Sequence, residues 1–289
     1  MDCFIEYYYN FSNIKSKKNN DNDYLFSYNG TLYCFSIVKS NVNEIYELLN
    51  IIEANPQIDS IIQNINGNYI TKIYNLNYVL LKKNKNIKIN GYDYLIMNKY
   101  VTNGSRILDK SNWVELWSRK IDNIEYNIET KNFIIKNSIN YYIGMAESGI
   151  SYIRKVINKN PNYNNKVIAH IRLTDSNIFN PQNLVIDYES RDIAEYLKYI
   201  YFNQYDICIS TVNKIFKSKI YDEFTLQLIY GRLFFPSFYF DILDSINNNY
   251  ILEEKLSQIV KKTEEYENYI NYIYNLICEQ KKIPRITWN

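Results

Sequence analysis

Apolar residues change their period along this chain, and the change marks two regions. Residues 24 to 39, "YLFSYNGTLYCFSIVK", read as two short β runs about Tyr28-Asn29-Gly30. The Asn-Gly dipeptide predicts a tight hairpin, because the favoured two-residue turn needs positive φ at both central positions. In "NVNEIYELLNIIEAN" the spacing becomes helical, with Ile45, Leu48, Leu49 and Ile52 on one face and Asn41 or Asn43 available as the cap. The stretch "IIQNINGNYITKIYNLNYVLLKK" returns to β-rich runs and carries a second Asn-Gly at 66 to 67. Hairpin, helix and further strands predict a small β-rich lobe over residues 1–98.

From Trp113 the pattern turns helical. "WVELWSRKIDNIEYNIETK" places Val114, Trp117, Ile121, Ile124 and Ile128 on roughly one face, and a longer segment runs over 138–159. Residues 191–280 alternate helical patterns with breaks at Pro236 and at the asparagines of 247–249. The fold class expected is therefore α+β, with a larger, mostly helical lobe over 99–289 and a hinge near 98–112.

Composition narrows the partners. Hydrophobic residues make up 46% of 289, enough for a buried core, and 33 basic against 31 acidic residues leave a net charge of +2 with no basic stripe for nucleic acid. The 31 tyrosines, with abundant Asn, Ile and Lys, fit a codon bias toward A and T. A sticky or cross-linkable aromatic face built on Tyr141, Tyr142, Tyr239 and Tyr266 would give the same count. Cys3, Cys34, Cys208 and Cys278 form no C-x-x-C pair, and one histidine is too few for an ordinary zinc site. The N-terminal residues lack the pattern of a signal peptide and no apolar run is long enough for a membrane span, so a reducing cytoplasm is the expected place of synthesis.

Candidate chemistry is concentrated in "VIAHIRLTDSNIFNPQNLVIDYESRDIAEY", residues 167–196. Phosphotransferases of the kinase fold use a loop H-x-D-x-x-x-x-N, whose aspartate takes the proton of the attacking hydroxyl and whose asparagine holds magnesium; a later aspartate holds the metal on the phosphates. On that template His170 takes the histidine place, Arg172 the base place and Asn177 the asparagine place, in a loop over 170–177. Asp187, ahead of Tyr188, takes the metal place in the segment 184–192. An arginine stays protonated at any working pH and cannot act as a base. Asp175 is the alternative base if the loop rearranges. His170 reads as an anchor of the loop rather than a reacting group. Asp187 reads either as a magnesium ligand, with Asn177, or as a brace for the following turn. Glu189, Arg191 and Asp192 read as an ion-pair and capping cluster that starts the next helix.

The nucleotide side is thinner. Gly30 is the only glycine of the first hairpin, so there is no glycine-rich cover for phosphates. The strand "YCFSIVK" should present the phosphate-pairing lysine, yet Ser36 stands nearer the inward position and Lys39 lies at the strand's end. Lys39 with Glu44 or Glu47 would form the strand–helix ion pair of such folds, or a solvated surface pair. The template thus implies ATP and magnesium, or, given these losses, no cofactor at all.

Four stretches, "INYYIGMAESGISYI" (139–153), "IDYESRDIAEYLKYI" (186–200), "IYGRLFFPSFYFDIL" (229–243) and "IPRITW" (283–288), carry a family likeness. In them the chain resembles the YutH-type spore-coat proteins, a CotS-like branch of the aminoglycoside-phosphotransferase or choline-kinase-like fold. The resemblance implies a two-lobed kinase-like fold, synthesis in the mother-cell cytoplasm, then association with the endospore coat and its other proteins. It also implies that a His-x-Arg loop like His170-Ile171-Arg172 is normal for this branch. The function expected is a catalytically degenerate kinase-like protein that acts by binding and assembly, with a nucleotide or small molecule as its ligand. The alternative is an ATP- and magnesium-dependent phosphotransferase acting on the hydroxyl of a small molecule.

Overall fold

The computed structural model describes residues 1–19, 23–38, 41–84, 89–97, 106–127, 132–245 and 250–287. The chain forms two compact units. One comprises Met1–Gly91, Asn103–Asp109 and Thr174–Val185, and the other Tyr92–Thr102, Lys110–Leu173 and Ile186–Asn289.

The first unit is an antiparallel sheet with two helices. In chain order its elements are α1 (Asp2–Tyr9), β1 (Lys17–Lys18), β2 (Tyr24–Tyr28), β3 (Thr31–Ile37), α2 (Val42–Ala54), β4 (Ser60–Ile62), β5 (Thr71–Ile73) and β6 (Leu76–Lys82). The strands lie in the order β1-β2-β3-β6-β4, with β5 also paired to β6. The predicted turn forms at Asn29 and Gly30, both at positive φ, and sets the register Tyr28↔Thr31 through Tyr24↔Phe35. Asn41 caps α2 by accepting the Asn43 N–H at 3.0 Å, and Ile45 and Leu48 are its buried face. The second Asn-Gly turns the chain without making a hairpin: Asn64 Oδ1 accepts from the N–H groups of Asn66 and Asn68. The hairpin that follows turns instead at Tyr74, itself at φ 53°. Val79, Leu80 and Leu81 of β6 are all fully buried, as expected of a strand with neighbours at both edges and cover on both faces. The short helix α1, which no sequence pattern announced, places Ile5 and Tyr9 in a core with Phe26, Phe35, Ile73, Tyr78 and Leu80.

Helix α3 (Gly91–Ile96) leads into the second unit, followed by α4 (Trp113–Asn127), α5 (Phe133–Lys159), β7 (Lys166–His170) and β8 (Leu184–Tyr188). Then come α6 (Ser190–Asn203), α7 (Tyr205–Ser218), α8 (Glu223–Leu233), α9 (Ser237–Leu243), α10 (Tyr250–Lys261) and α11 (Thr263–Gln280). Helix α4 buries Trp113, Trp117 and Ile121, while Ile128 lies outside the described residues. Helix α5 starts earlier than its apolar pattern suggests, at an Asn132 cap, and packs against α4 and α8.

Two glycines permit the α5–α8 contact. A Cβ on Gly149 would lie 2.9 Å from the Gly231 carbonyl oxygen and 3.0 Å from Phe234 Cβ. Gly149→Ala is therefore expected to cost about 1–3 kcal/mol through overpacking, measurable as a lower urea midpoint with an unchanged slope.

An aromatic docking face built on the four named tyrosines is not what forms. Tyr142, Tyr239 and Tyr266 are core residues, Tyr142 and Tyr239 stack at 3.9 Å between centroids, and Tyr141 is half-buried with its hydroxyl on Glu267. Each finds a partner for its hydroxyl, which is what lets a tyrosine act as a large apolar core residue.

Candidate functional site

Strands β7 and β8 pair as a two-stranded sheet, with His170 at the end of one strand and Asp187 near the end of the other, both in the second unit. His170 is fully buried. Its backbone N–H donates to Asp192 Oδ1 at 2.7 Å, its Nδ1 lies 3.0 Å from Asp192 Oδ2, and the Tyr94 ring sits edge-on to the imidazole. A carboxylate facing Nδ1 favours the tautomer with its proton there. This is the geometry of a loop anchor.

Arg172 is turned toward α9. Its Nε and Nη2 make a two-point contact with Asp241 at 2.7 and 3.0 Å, and its Nη1 donates to the Ile171 carbonyl at 2.8 Å. Glu195 Oε2 lies 3.4 Å from the same Nε. Against the desolvation of its surroundings, Glu195 and Asp241 hold the guanidinium protonated beyond even its ordinary range. Arg172 is therefore a cation fixed by its partners.

Asp187 is fully buried and its oxygens are surrounded by donors. Oδ1 accepts from Tyr188 N at 2.7 Å and Trp113 Nε1 at 3.0 Å; Oδ2 accepts from Arg191 Nη1 at 2.6 Å and the same indole at 2.8 Å. Burial raises its carboxyl above the usual range, opposed by Arg191, Arg232 and the indole. Because every one of these contacts is to a donor, the geometry holds the ionised form. A carboxylate offers about four lone-pair directions, and here three N–H groups, the indole's shared between both oxygens, make four contacts with it. Magnesium, which would approach such an oxygen to ~2.0–2.1 Å, does not fit beside a guanidinium already on Oδ2. Among the described residues no group of three or more His, Cys, Asp or Glu is arranged to hold a metal ion.

Behind this acid lies a second buried charge cluster. Glu195 Oε1 accepts from Arg232 Nε at 2.9 Å and Lys198 Nζ at 3.1 Å, and Oε2 from Ser237 Oγ at 3.1 Å. Burial opposes its charge, yet Lys198, Arg172 and Arg232 together hold Glu195 far below the carboxylate range. Burial pushes Lys198 down to about 7, with Glu195 opposing, and burial and Arg191 lower Arg232 to about 10. The Arg232 guanidinium lies over the Trp113 ring at 4.3 Å and near Trp117 at 5.1 Å. Glu189 pairs with Lys219 at 2.6 Å and makes no side-chain cap to α6.

In the first unit, Asp175 Oδ1 accepts the Gly91 backbone N–H at 2.7 Å, at the start of α3. Asn177 Oδ1 accepts the Thr174 N–H at 2.9 Å and closes its own turn. The segment they belong to is tied in further by Asp59 N–H to the Phe179 carbonyl, and by the turn Pro181–Asn183 packed on α2. Ser36 is buried, donates to Asp23 at 2.6 Å and accepts from Gln182 Nε2 at 2.9 Å. On β3 the uncharged Ser36 hydroxyl thus links the Asp23 carboxylate to the Gln182 amide. Glu44 and Glu47 lie in the first half of α2, and Lys39 lies outside the described residues. Among the described residues of this unit the buried acid is Asp59, which pairs with Lys83 at 2.8 Å and accepts the Asn84 N–H.

Trp113, Glu195, Lys198, Arg232 and Asp241 escaped the sequence reading. One signal was present for Trp113: it is one of three tryptophans in a chain whose composition otherwise follows a bias toward Asn, Ile, Lys and Tyr. For Glu195 and Lys198, the only cue was a charged pair at i, i+3 inside a helix that is otherwise buried from Ser190 to Leu197.

Comparison with known proteins bears on the whole chain. A family model described as "Spore coat putative kinase YutH" matches residues 3–273. The endospore coat-associated protein YutH of Bacillus subtilis (strain 168) is 27% identical over 209 residues, an alignment that covers 61% of this chain and 60% of that protein's length. Among solved structures, a spectinomycin phosphotransferase in complex with ADP and spectinomycin aligns with a TM-score of 0.61 at 12% identity, covering 96% of this chain and 97% of the other. An aminoglycoside phosphotransferase from Alicyclobacillus acidocaldarius aligns at 0.54 and 9% identity, covering 94% of each chain. At these identities the structures show the fold alone, and the match over residues 3–273 shows the family: the chain belongs to the YutH family of spore-coat proteins and has the aminoglycoside-phosphotransferase-like kinase fold.

Proposed function

We propose that this protein serves the endospore coat as a kinase-shaped binding and assembly component that transfers no phosphate. It is made in the mother-cell cytoplasm and recruited to the coat by contacts with other coat proteins. The observation that carries the reading is Arg172: the position of the proton acceptor holds a guanidinium locked on Asp241. Asp175 supports it, because the carboxylate best placed in sequence to replace the base is spent on the Gly91 N–H. Ser36 supports it from the nucleotide side, as an uncharged residue in place of a phosphate-pairing lysine.

The competing reading is an ATP-dependent phosphotransferase to a small-molecule hydroxyl, the type of activity named for the structural neighbours. Phosphoryl transfer depends mostly on positioning and charge neutralisation, so losing the base alone would slow it without forbidding it. A transfer assay from γ-labelled ATP to hydroxylated small molecules and to extracted coat proteins separates the two. We expect no product above the background without protein, and a fluorescent fusion that reaches the forming coat equally well as wild type and as Arg172→Ala. Multiple turnovers by the wild-type protein, or loss of coat recruitment only when ATP is withheld, would overturn the proposal.

A further inference from the structure

We infer that Arg191 is the built-in cation of the Asp187 site, so that the place a divalent metal would take in a kinase-type fold is filled permanently by the chain itself. Three observations in the second unit carry this. Arg191 Nη1 lies 2.6 Å from Asp187 Oδ2, with the guanidinium and the carboxylate both buried. The Trp113 indole N–H, shared between both oxygens, and the Tyr188 N–H also point at the carboxylate, so each of its oxygens is engaged by donors of the chain itself. Arg191 Nη2 also donates to the Ile171 carbonyl at 3.3 Å, the same oxygen that accepts from Arg172 Nη1.

Arg191 thus joins the acid of β8 to the loop after β7. A metal ion would make that kind of link through its coordination sphere, and the chain makes it with hydrogen bonds of fixed length. Helical spacing makes the substitution possible: Asp187 and Arg191 are four residues apart, with Arg191 in the first turn of α6, so the side chain reaches back over one turn to the strand end. The guanidinium is held in its plane by the Asp187 and Ile171 contacts, and its Nε, buried and without a partner, makes no competing bond. The site is therefore ordered before any ligand arrives and does not respond to magnesium. This inference stands apart from the coat reading, which rests on Arg172 and its partner Asp241 rather than on Asp187.

The test is metal binding in the intact protein. Manganese titration followed by electron paramagnetic resonance is expected to leave the free-ion signal of wild type undiminished, with the same melting temperature in excess magnesium and in EDTA. Arg191→Ala is expected to lower the melting temperature and to make it magnesium-dependent, because the freed carboxylate then has an open side; the double variant Arg191→Ala with Asp187→Asn should lose that dependence. Arg191→Gln removes the charge while keeping most of the side chain's volume, and serves if Arg191→Ala does not fold; there the expected result is weak manganese binding absent from wild type. Manganese bound by wild type and lost in Asp187→Asn would overturn the inference, as would an Arg191→Ala protein as stable as wild type and indifferent to magnesium.

Discussion

Glu195→Ala is expected to destabilise the helical unit by about 3–5 kcal/mol, the cost of removing one partner from a buried ion pair. Its carboxylate is the shared acceptor of Lys198, Arg232 and Ser237 and lies 3.4 Å from Arg172 Nε, so its removal takes the counter-charge from two buried cations at once, with only the Phe235 carbonyl and Ser237 Oγ left to Lys198. Urea denaturation monitored by far-UV circular dichroism measures the loss, and a change below 1 kcal/mol would mean that Lys198 and Arg232 are satisfied by other groups. The pH dependence has a definite sign. Lys198 is held at about 7 against an ordinary 10.5, so across that interval the unfolded chain binds more protons than the folded one. Stability should therefore rise with pH from about 7 to 9, and Lys198→Met should flatten the rise. Glu195 acts at the other end. Its folded value lies below the ordinary 4.5, so its contribution is complete above that pH and fades as pH falls further.

Asp187→Ala should cost a comparable ~3–5 kcal/mol, for a related reason. It strands Arg191, which is 7% exposed, and also takes the acceptor from the Trp113 indole and from Tyr188 N. Leaving a buried donor unsatisfied adds about 1–3 kcal/mol for each group that does not find water. Chemical denaturation gives the free energy, and near-UV circular dichroism reports on the stacked Trp113–Trp117–Phe235 column that the indole bond steadies. The loss should be the same with magnesium and with EDTA. A mutant as stable as wild type would show that the acid is held for a ligand rather than for the fold.

Both effects originate in residues whose partners are distant in sequence, and this separates what could be read from the chain from what could not. The turn at Asn29-Gly30 was legible because two adjacent residues carry its whole backbone requirement, positive φ. The α2 cap and the buried stripe of α4 were legible because a cap spans three residues and a helix repeats its face every three or four. In the loop His170-Ile171-Arg172 the side-chain chemistry was legible, since an arginine stays charged and cannot act as a base. Helix α1 was not, since eight residues with four aromatics carry too few turns to declare a period.

The sequence by itself thus determined most element types, through local backbone preference and apolar period; the kinase-like class came with its family resemblance, and the permanent charge at position 172 follows from side-chain chemistry. Only the tertiary structure decided what the remaining charges do. Arg172 meets Asp241 across 69 residues, the Trp113 indole meets Asp187 across 74, and Arg232 meets Glu195 across 37. A burial pattern says which side chains leave water, but a buried charge is acceptable only with a particular partner at hydrogen-bond distance, and that partner is chosen by how helices and strands pack.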